Sequence, residues 1–281
     1  KRDKNRVDIS KLEDDSIEGG YIIKIDKLTG DGESCSTCYD DSFSFSSRYD
    51  TNGDISDQSN IFFIYHYPKP DDISQDQKDY IQSVIFEFES VLLSENNEEL
   101  LNLIDLQSFI DFFIINELSK NPDGYRLSTF LNKDFNGKLK MGPIWDFNLA
   151  YANVDYCDGA NTIGWIYNFN SICPGDIWQV PFWWEVLMQK EVFKTALKNR
   201  WSSLRSSSLS NSTILNTIDS YTENLNSNNI TNQNFYVWPV LGQYIWPNFF
   251  VGSTHEEEIE FLKNWIDDRL DWMDMEINSL N

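Results

Sequence analysis

Two short stretches constrain this chain most: Asn121-Pro-Asp-Gly-Tyr-Arg-Leu-Ser128 and Gly142-Pro-Ile-Trp-Asp-Phe-Asn-Leu-Ala-Tyr151. Pro122 and Gly124 end a helix expected over Leu106–Leu118, with Phe109, Phe112 and Phe113 on its buried side, and leave Asp123 on the turn just beyond. Two apolar runs, Tyr125–Leu131 and Lys138–Trp145, flank the polar gap Asn132–Gly137 and read as a β-hairpin. A hairpin brings its outer ends together, so Asp123, before the first strand, and Asp146, after the second, become neighbours. Asp is common at turns and helix caps, so either residue alone has a bland explanation. As a pair they fit a phosphoryl-transfer site, in which one carboxylate orients a hydroxyl and the other helps hold a hard metal ion. Asn148, two residues beyond Asp146, supplies a second oxygen of the kind magnesium takes, and Arg126 and Ser128 add polar groups nearby.

The charge balance narrows the partners. A formal net charge of −23 repels phosphate on average, which argues against nucleic acid and anionic membranes. It also means that a nucleotide needs a divalent cation or a local basic group to approach. Aromatic residues make up 15%, ten of them Trp, enough for a sizeable core. No apolar run is long enough to span a membrane, and Lys1–Arg6 has no apolar segment of a signal peptide, as expected if the chain lies inside a longer protein. The four cysteines, Cys35, Cys38, Cys157 and Cys173, lie in polar loops, which favours two local disulfides and an oxidising compartment. A four-cysteine zinc site is the alternative, although the second pair lacks the C-x2-C spacing.

Along the chain, residues 1–72 read as strands and loops and residues 73–281 as mostly helical with the hairpin inserted, a single α+β domain over 1–281. Gly20–Ile25 and Ile61–Tyr67 have the runs of strands. Asp50–Asp57 is oxygen-rich like a calcium loop but lacks the EF-hand spacing, so a surface turn is expected and a structural Ca2+ is the alternative. Ser74–Gln77 is a capping box ahead of Ile81, Val84, Phe88 and Val91 at helical spacing. Phe182, Val186 and Leu187 lead into Phe193, Leu197, Trp201 and Leu204. Ile214, Ile218, Tyr221 and Leu225 form another apolar face. Thr254–Glu257 is a second capping box, opening a last helix with the stripe Ile259, Leu262, Ile266, Leu270 and Met273. His66 is expected to pack in its aromatic strand and His255 to sit in a first helical turn, so a histidine-based triad has little material.

The chain resembles the CotH-type (spore coat protein H) family of atypical, protein-kinase-like proteins, and is closest to secreted bacterial members. The resemblance runs from Lys1–Ile9 through Gly19–Lys27 to Gly142–Tyr151, and returns at Val180–Trp184, Trp238–Gly242 and Trp265–Met273. It implies a protein-kinase-like fold, strands and hairpin first and a helical lobe after. It further implies a secreted or cell-surface protein that uses ATP and Mg2+ to phosphorylate Ser or Thr of a protein substrate. Carried over, Asp123 resembles the family's catalytic aspartate and Asp146 its metal-binding aspartate; in the site expected from these residues Asn148 joins Asp146 on the metal, Ser128 adds a weaker metal contact and Arg126 counters phosphate charge. Ser128 stands where a protein kinase has a metal-holding Asn, and Asn148 where many members repeat an Asp. The family's phosphate-contacting front portion is expected before Lys1.

Those departures leave a second class open: a non-catalytic module of the same fold serving a surface assembly, with possible polysaccharide contact. A calcium-stabilised sugar-binding module using Asp50–Asp57 and surface Trp is a third reading. A two-carboxylate glycosidase is a fourth, although any chain this acidic offers many carboxylate pairs.

Overall fold

A sheet of five short strands forms because alternating or wholly apolar runs are cut by Gly, Pro and Asp. The computed structural model describes residues 7–11, 17–28 and 35–280. Of the first resembling stretch, residues 1–6 therefore lie outside the described residues. The strands are β1 (Tyr21–Ile25), β2 (Ser44–Ser46), β3 (Phe62–Tyr67), β4 (Thr129–Lys133) and β5 (Leu139–Met141). They align in the order β2-β3-β1-β4-β5, every pair antiparallel. Ile23 of β1 faces Leu131 of β4, which in turn faces Met141 of β5. The helices are α1 (Gln75–Leu93), α2 (Asn97–Leu103), α3 (Leu106–Ser119), α4 (Phe169–Ile172), α5 (Trp183–Gln189), α6 (Glu191–Arg205), α7 (Asn211–Ser227), α8 (Ile230–Val237) and α9 (His255–Ser279). The chain divides into two units interleaved in sequence. The first comprises Lys1–Phe113, Asp123–Asp146 and Tyr167–Lys194, and the second Ile114–Pro122, Phe147–Ile166 and Thr195–Asn281.

In the first unit the sheet packs through aromatic rings. Phe63 of β3 stacks on Trp183 of α5 at 5.7 Å, and Phe88 of α1 meets the same indole edge-on at 5.0 Å. Ser74 and Gln77 make the expected capping box at the start of α1. The buried face of that helix is carried by Ile81, Ile85, Phe88, Val91 and Leu92, with Ile85 in the place expected of Val84. Asp50 accepts the backbone N–H groups of Asn52 and Asp54, so its carboxylate closes a surface turn. Cys35 bonds Cys38, and Cys157 and Cys173 are disulfide-bonded as well. Oxidised sulfurs offer no thiolate to zinc, which removes the four-cysteine metal site.

One carboxyl in this core carries a testable pH dependence. Glu89 is fully buried and accepts from the Ser47 hydroxyl at 2.9 Å and from Trp183 Nε1 at 3.0 Å. Burial outweighs these hydrogen bonds and pushes its pKa up to about 7. The folded value lies above the unfolded one, so the stabilisation is complete below the unfolded pKa and is lost as pH rises through about 7. From pH 5 to pH 8 the wild type is expected to lose stability, by up to about 3 kcal/mol, relative to Glu89→Gln. Urea unfolding of both proteins at the two pH values checks this, and a constant difference would remove Glu89 as the source.

The second unit centres on α9. Thr254 caps it through the Glu257 N–H, but the Glu257 carboxylate reaches back to the Ser253 N–H, so the expected reciprocal box is shifted by one residue. The buried stripe starts later than expected, with Trp265, Ile266, Arg269, Leu270, Met273 and Ile277, while Ile259 and Leu262 are half-buried. The helix α7 has no buried residue. Its apolar face is real, but Ile214 and Ile218 are half-covered and Tyr221 and Leu225 are exposed. Amphipathic spacing marks a face suited to burial; how much is covered depends on the neighbours it meets.

Candidate phosphoryl-transfer site

The turn that carries Asp123 is held by its own backbone and by an aromatic pocket. The Asp123 carbonyl accepts the Leu127 N–H at 2.9 Å, which coils residues 123–127 tightly. Tyr125 adopts a left-handed conformation (φ 71°), costly for a bulky side chain. Its fully buried ring offsets this cost by packing 4.5 Å from Trp184 and 5.8 Å from Phe112, with its hydroxyl donating to the Phe113 carbonyl. Ser128 and Asp146 are left-handed too (φ 47° and 63°). Such backbone strain concentrates at functional sites when the surroundings over-determine it. These turns also shorten the hairpin: Tyr125 and Ser128 leave the strand region, so β4 starts at Thr129, and Gly142 (φ 111°) turns the chain after β5.

The hairpin closes as its ends require. Ser128 Oγ lies 3.4 Å from Asp146 Oδ2, and the Asp146 charge is felt at Asp123. Arg126 is almost wholly buried between two carboxylates. Its Nη2 donates to Asp123 Oδ1 at 2.8 Å and its Nη1 lies 3.1 Å from Asp176 Oδ1. Nη1 also donates to the Trp178 carbonyl, and the guanidinium lies 3.9 Å over the Phe169 ring. Arg126 therefore fixes the Asp123 carboxylate from one side rather than lying open to solvent. Burial raises the pKa of Asp123; the neighbouring Arg126 and Lys27 pull it down, and Asp146 and Asp176 push it up. The net effect is a more basic carboxylate than an exposed Asp. Asp146 is exposed, as is Asn148. Asn148 falls in the second unit, so its expected role rests on its place two residues beyond Asp146 in the chain.

Three neighbours were not legible as site residues. Lys27, just past β1, is exposed, acts electrostatically on Asp123 and sits 5.6 Å from the Trp178 ring. Asp176 pairs with Arg126 and accepts the Trp178 N–H at 2.9 Å. Trp178 is held in turn by a bond from its Nε1 to the Tyr39 hydroxyl. The only sequence signal was the run Gly19–Lys27, which ends on Lys27; nothing local marks Asp176 or Trp178.

This is a mixed α/β protein with an antiparallel sheet and an acidic pair at the open end of a hairpin. Residues 3–273 match the family model for the CotH kinase protein, and the chain belongs to that family. Among curated proteins, none matches the chain.

Proposed function

We propose that this protein transfers the γ-phosphoryl group of ATP to a Ser or Thr hydroxyl of a secreted or surface protein. The observation that carries this reading is the Asp123–Arg126–Ser128–Asp146 cluster, with one buried, fixed carboxylate and one exposed, in a chain of the CotH kinase family. Asp123 takes the hydroxyl proton as the hydroxyl oxygen bonds to phosphorus and the bond from phosphorus to the departing ADP oxygen breaks. Its burial-raised basicity suits that role. Asp146 and Ser128 present hard oxygen donors on one side of the hairpin end, with Asn148 next along the chain. This set suits magnesium, which binds through one or two carboxylates and keeps several waters. A bound magnesium ion would neutralise charge on the phosphates. Lys27 offers the exposed cation that so acidic a chain needs near a nucleotide.

All four cysteines are oxidised, and among the described residues no helix is long and apolar enough to cross a membrane. Both findings are compatible with the secreted or surface location of this reading.

Arg126 is a positioning residue in this scheme. Arg126→Gln removes a cation that lowers the Asp123 pKa, so the acidic limb of the kcat/KM profile is expected to move to higher pH. Turnover is expected to fall on the order of 10²-fold as Asp123 loses its fixed orientation. Arg126→Lys keeps the charge without the planar fork, so it should retain the limb but not the rate. A pH–rate profile of the three proteins checks both outcomes.

One observation favours a non-catalytic module instead: Asp123 Oδ1 is already engaged by Arg126. Calorimetric titration with ATP, with and without magnesium, separates the two readings. Magnesium-dependent binding supports phosphoryl transfer, and no binding assigns the acidic pair to the architecture of the turn.

A further inference from the structure

From Asn224 to His255 the chain has no Asp, Glu, Lys or Arg, although 24% of its residues are charged. The segment is rich in Asn and Gln instead, and it carries Trp238 and Trp246. These aromatic residues do not build a core. Tyr236 is 90% exposed, Trp246 71%, Trp238 64% and Tyr244 55%.

The loop after α8 is nevertheless firmly built. Its neck is closed by the Gly242 N–H donating to the Gly252 carbonyl at 2.8 Å and the Gly252 N–H donating to Glu258 at 2.6 Å. Phe250 lies flat against Phe261 of α9, with centroids 4.3 Å apart and planes 3° from parallel. The Tyr244 hydroxyl donates to Asp155 at 2.5 Å, and Trp246 lies nearly parallel to Tyr156 at 6.3 Å. The loop that carries Tyr244 and Trp246 is thus anchored at several points while their rings stay in water, and with Trp238 just before its neck these exposed rings form what we term the aromatic ridge. Exposed aromatic rings held in place by an anchored loop are candidates for a binding surface, and fixing them in advance lowers the entropy cost of binding.

We propose that this ridge is a binding platform for a neutral polysaccharide, separate from the phosphoryl-transfer site. The C–H faces of a pyranose ring are apolar and pack flat on indole and phenol rings, while its hydroxyls need neutral donors and acceptors. Trp238, Trp246 and Tyr244 supply the rings, and Gln243 and Asn248 are amides of the same loop. Charge selects among occupants. A net charge of −23, with Asp155 beside Tyr244, turns away polyanions, whereas rings and amides with no charge of their own avoid the larger cost of desolvating an ion against an uncharged polymer. Protein interfaces are enriched in Arg and Met as well as aromatics, and the segment has neither.

The test is affinity electrophoresis of the full chain through native gels containing hydroxyethylcellulose, arabinoxylan, mixed-linkage β-glucan or galactomannan, with polygalacturonate as the anionic control. Pull-down on cellulose and chitin extends the panel. At least one neutral polymer is expected to retain the protein and the polyanion is not. Trp238→Ala and Trp246→Ala should each weaken retention, and together by about tenfold or more, with melting temperature and ATP titration unchanged. Retention by no neutral polymer overturns the proposal, as does undiminished retention of the double variant. A dimer in sedimentation that the Trp variants dissociate would assign the ridge to a second copy and also overturn it.

Discussion

Asp146→Asn is expected to abolish magnesium-dependent ATP binding while leaving the fold intact. Asp146 is exposed, with Ser128 Oγ 3.4 Å from its carboxylate, so little packing is lost with its charge. Its left-handed backbone makes the choice of replacement matter. Asn tolerates that conformation, whereas Ala would add about 1 kcal/mol of strain and blur the result. Losing an outer partner of a metal typically costs 10–100-fold in affinity, so loss of a direct ligand should cost at least about 100-fold. Calorimetry with magnesium, beside a thermal melt, reads both effects. If the variant still binds ATP in a magnesium-dependent way, Asp146 is not the metal ligand.

The largest stability effect is expected at Arg269→Met. Arg269 and Glu117 are both fully buried, with Nη2 and Oε2 3.2 Å apart. Arg269 Nε also donates to the Glu117 carbonyl at 2.8 Å, and Nη1 donates to the carbonyls of Thr162 and Gly164. Glu117 in turn accepts the Ile166 N–H at 2.8 Å. Removing the guanidinium takes the ion-pair partner from a buried carboxylate and a donor from the Thr162 and Gly164 carbonyls, for an expected loss of about 3–5 kcal/mol in urea unfolding. Adding Glu117→Gln removes the stranded charge and keeps an acceptor for Ile166, so the double variant should recover much of that loss. A single-variant loss under about 1 kcal/mol would show that the pair is not what holds this unit.

Local chemistry made much of the fold legible. Ser74 and Gln77 mark the start of α1 because a capping box satisfies backbone donors within four residues. The strands β1 and β3 and the helix α3 show in runs whose length and period need no distant partner. Where sequence and structure part, a long-range contact intervenes. The short α2 lies between two stronger helical signals and was not expected. Tyr125 reads as the start of a strand, and only the pocket formed by Trp184 and Phe112 makes its left-handed turn tolerable. The face of α7 was visible as a pattern, while its exposure depends on neighbours that no pattern within the helix encodes.

By itself the sequence determined the family and the hairpin with an aspartate at each end, because turn residues and strand period act over a few neighbouring positions. Only the tertiary structure decided the state of those aspartates. Asp176 reaches Arg126 from fifty positions along the chain and Lys27 approaches Asp123 from nearly a hundred, so Asp123 is buried and made more basic while Asp146 stays exposed. Solvent exclusion and Coulomb fields sum over whatever the fold brings within a few ångströms, and that set is fixed by packing rather than by adjacency in the chain.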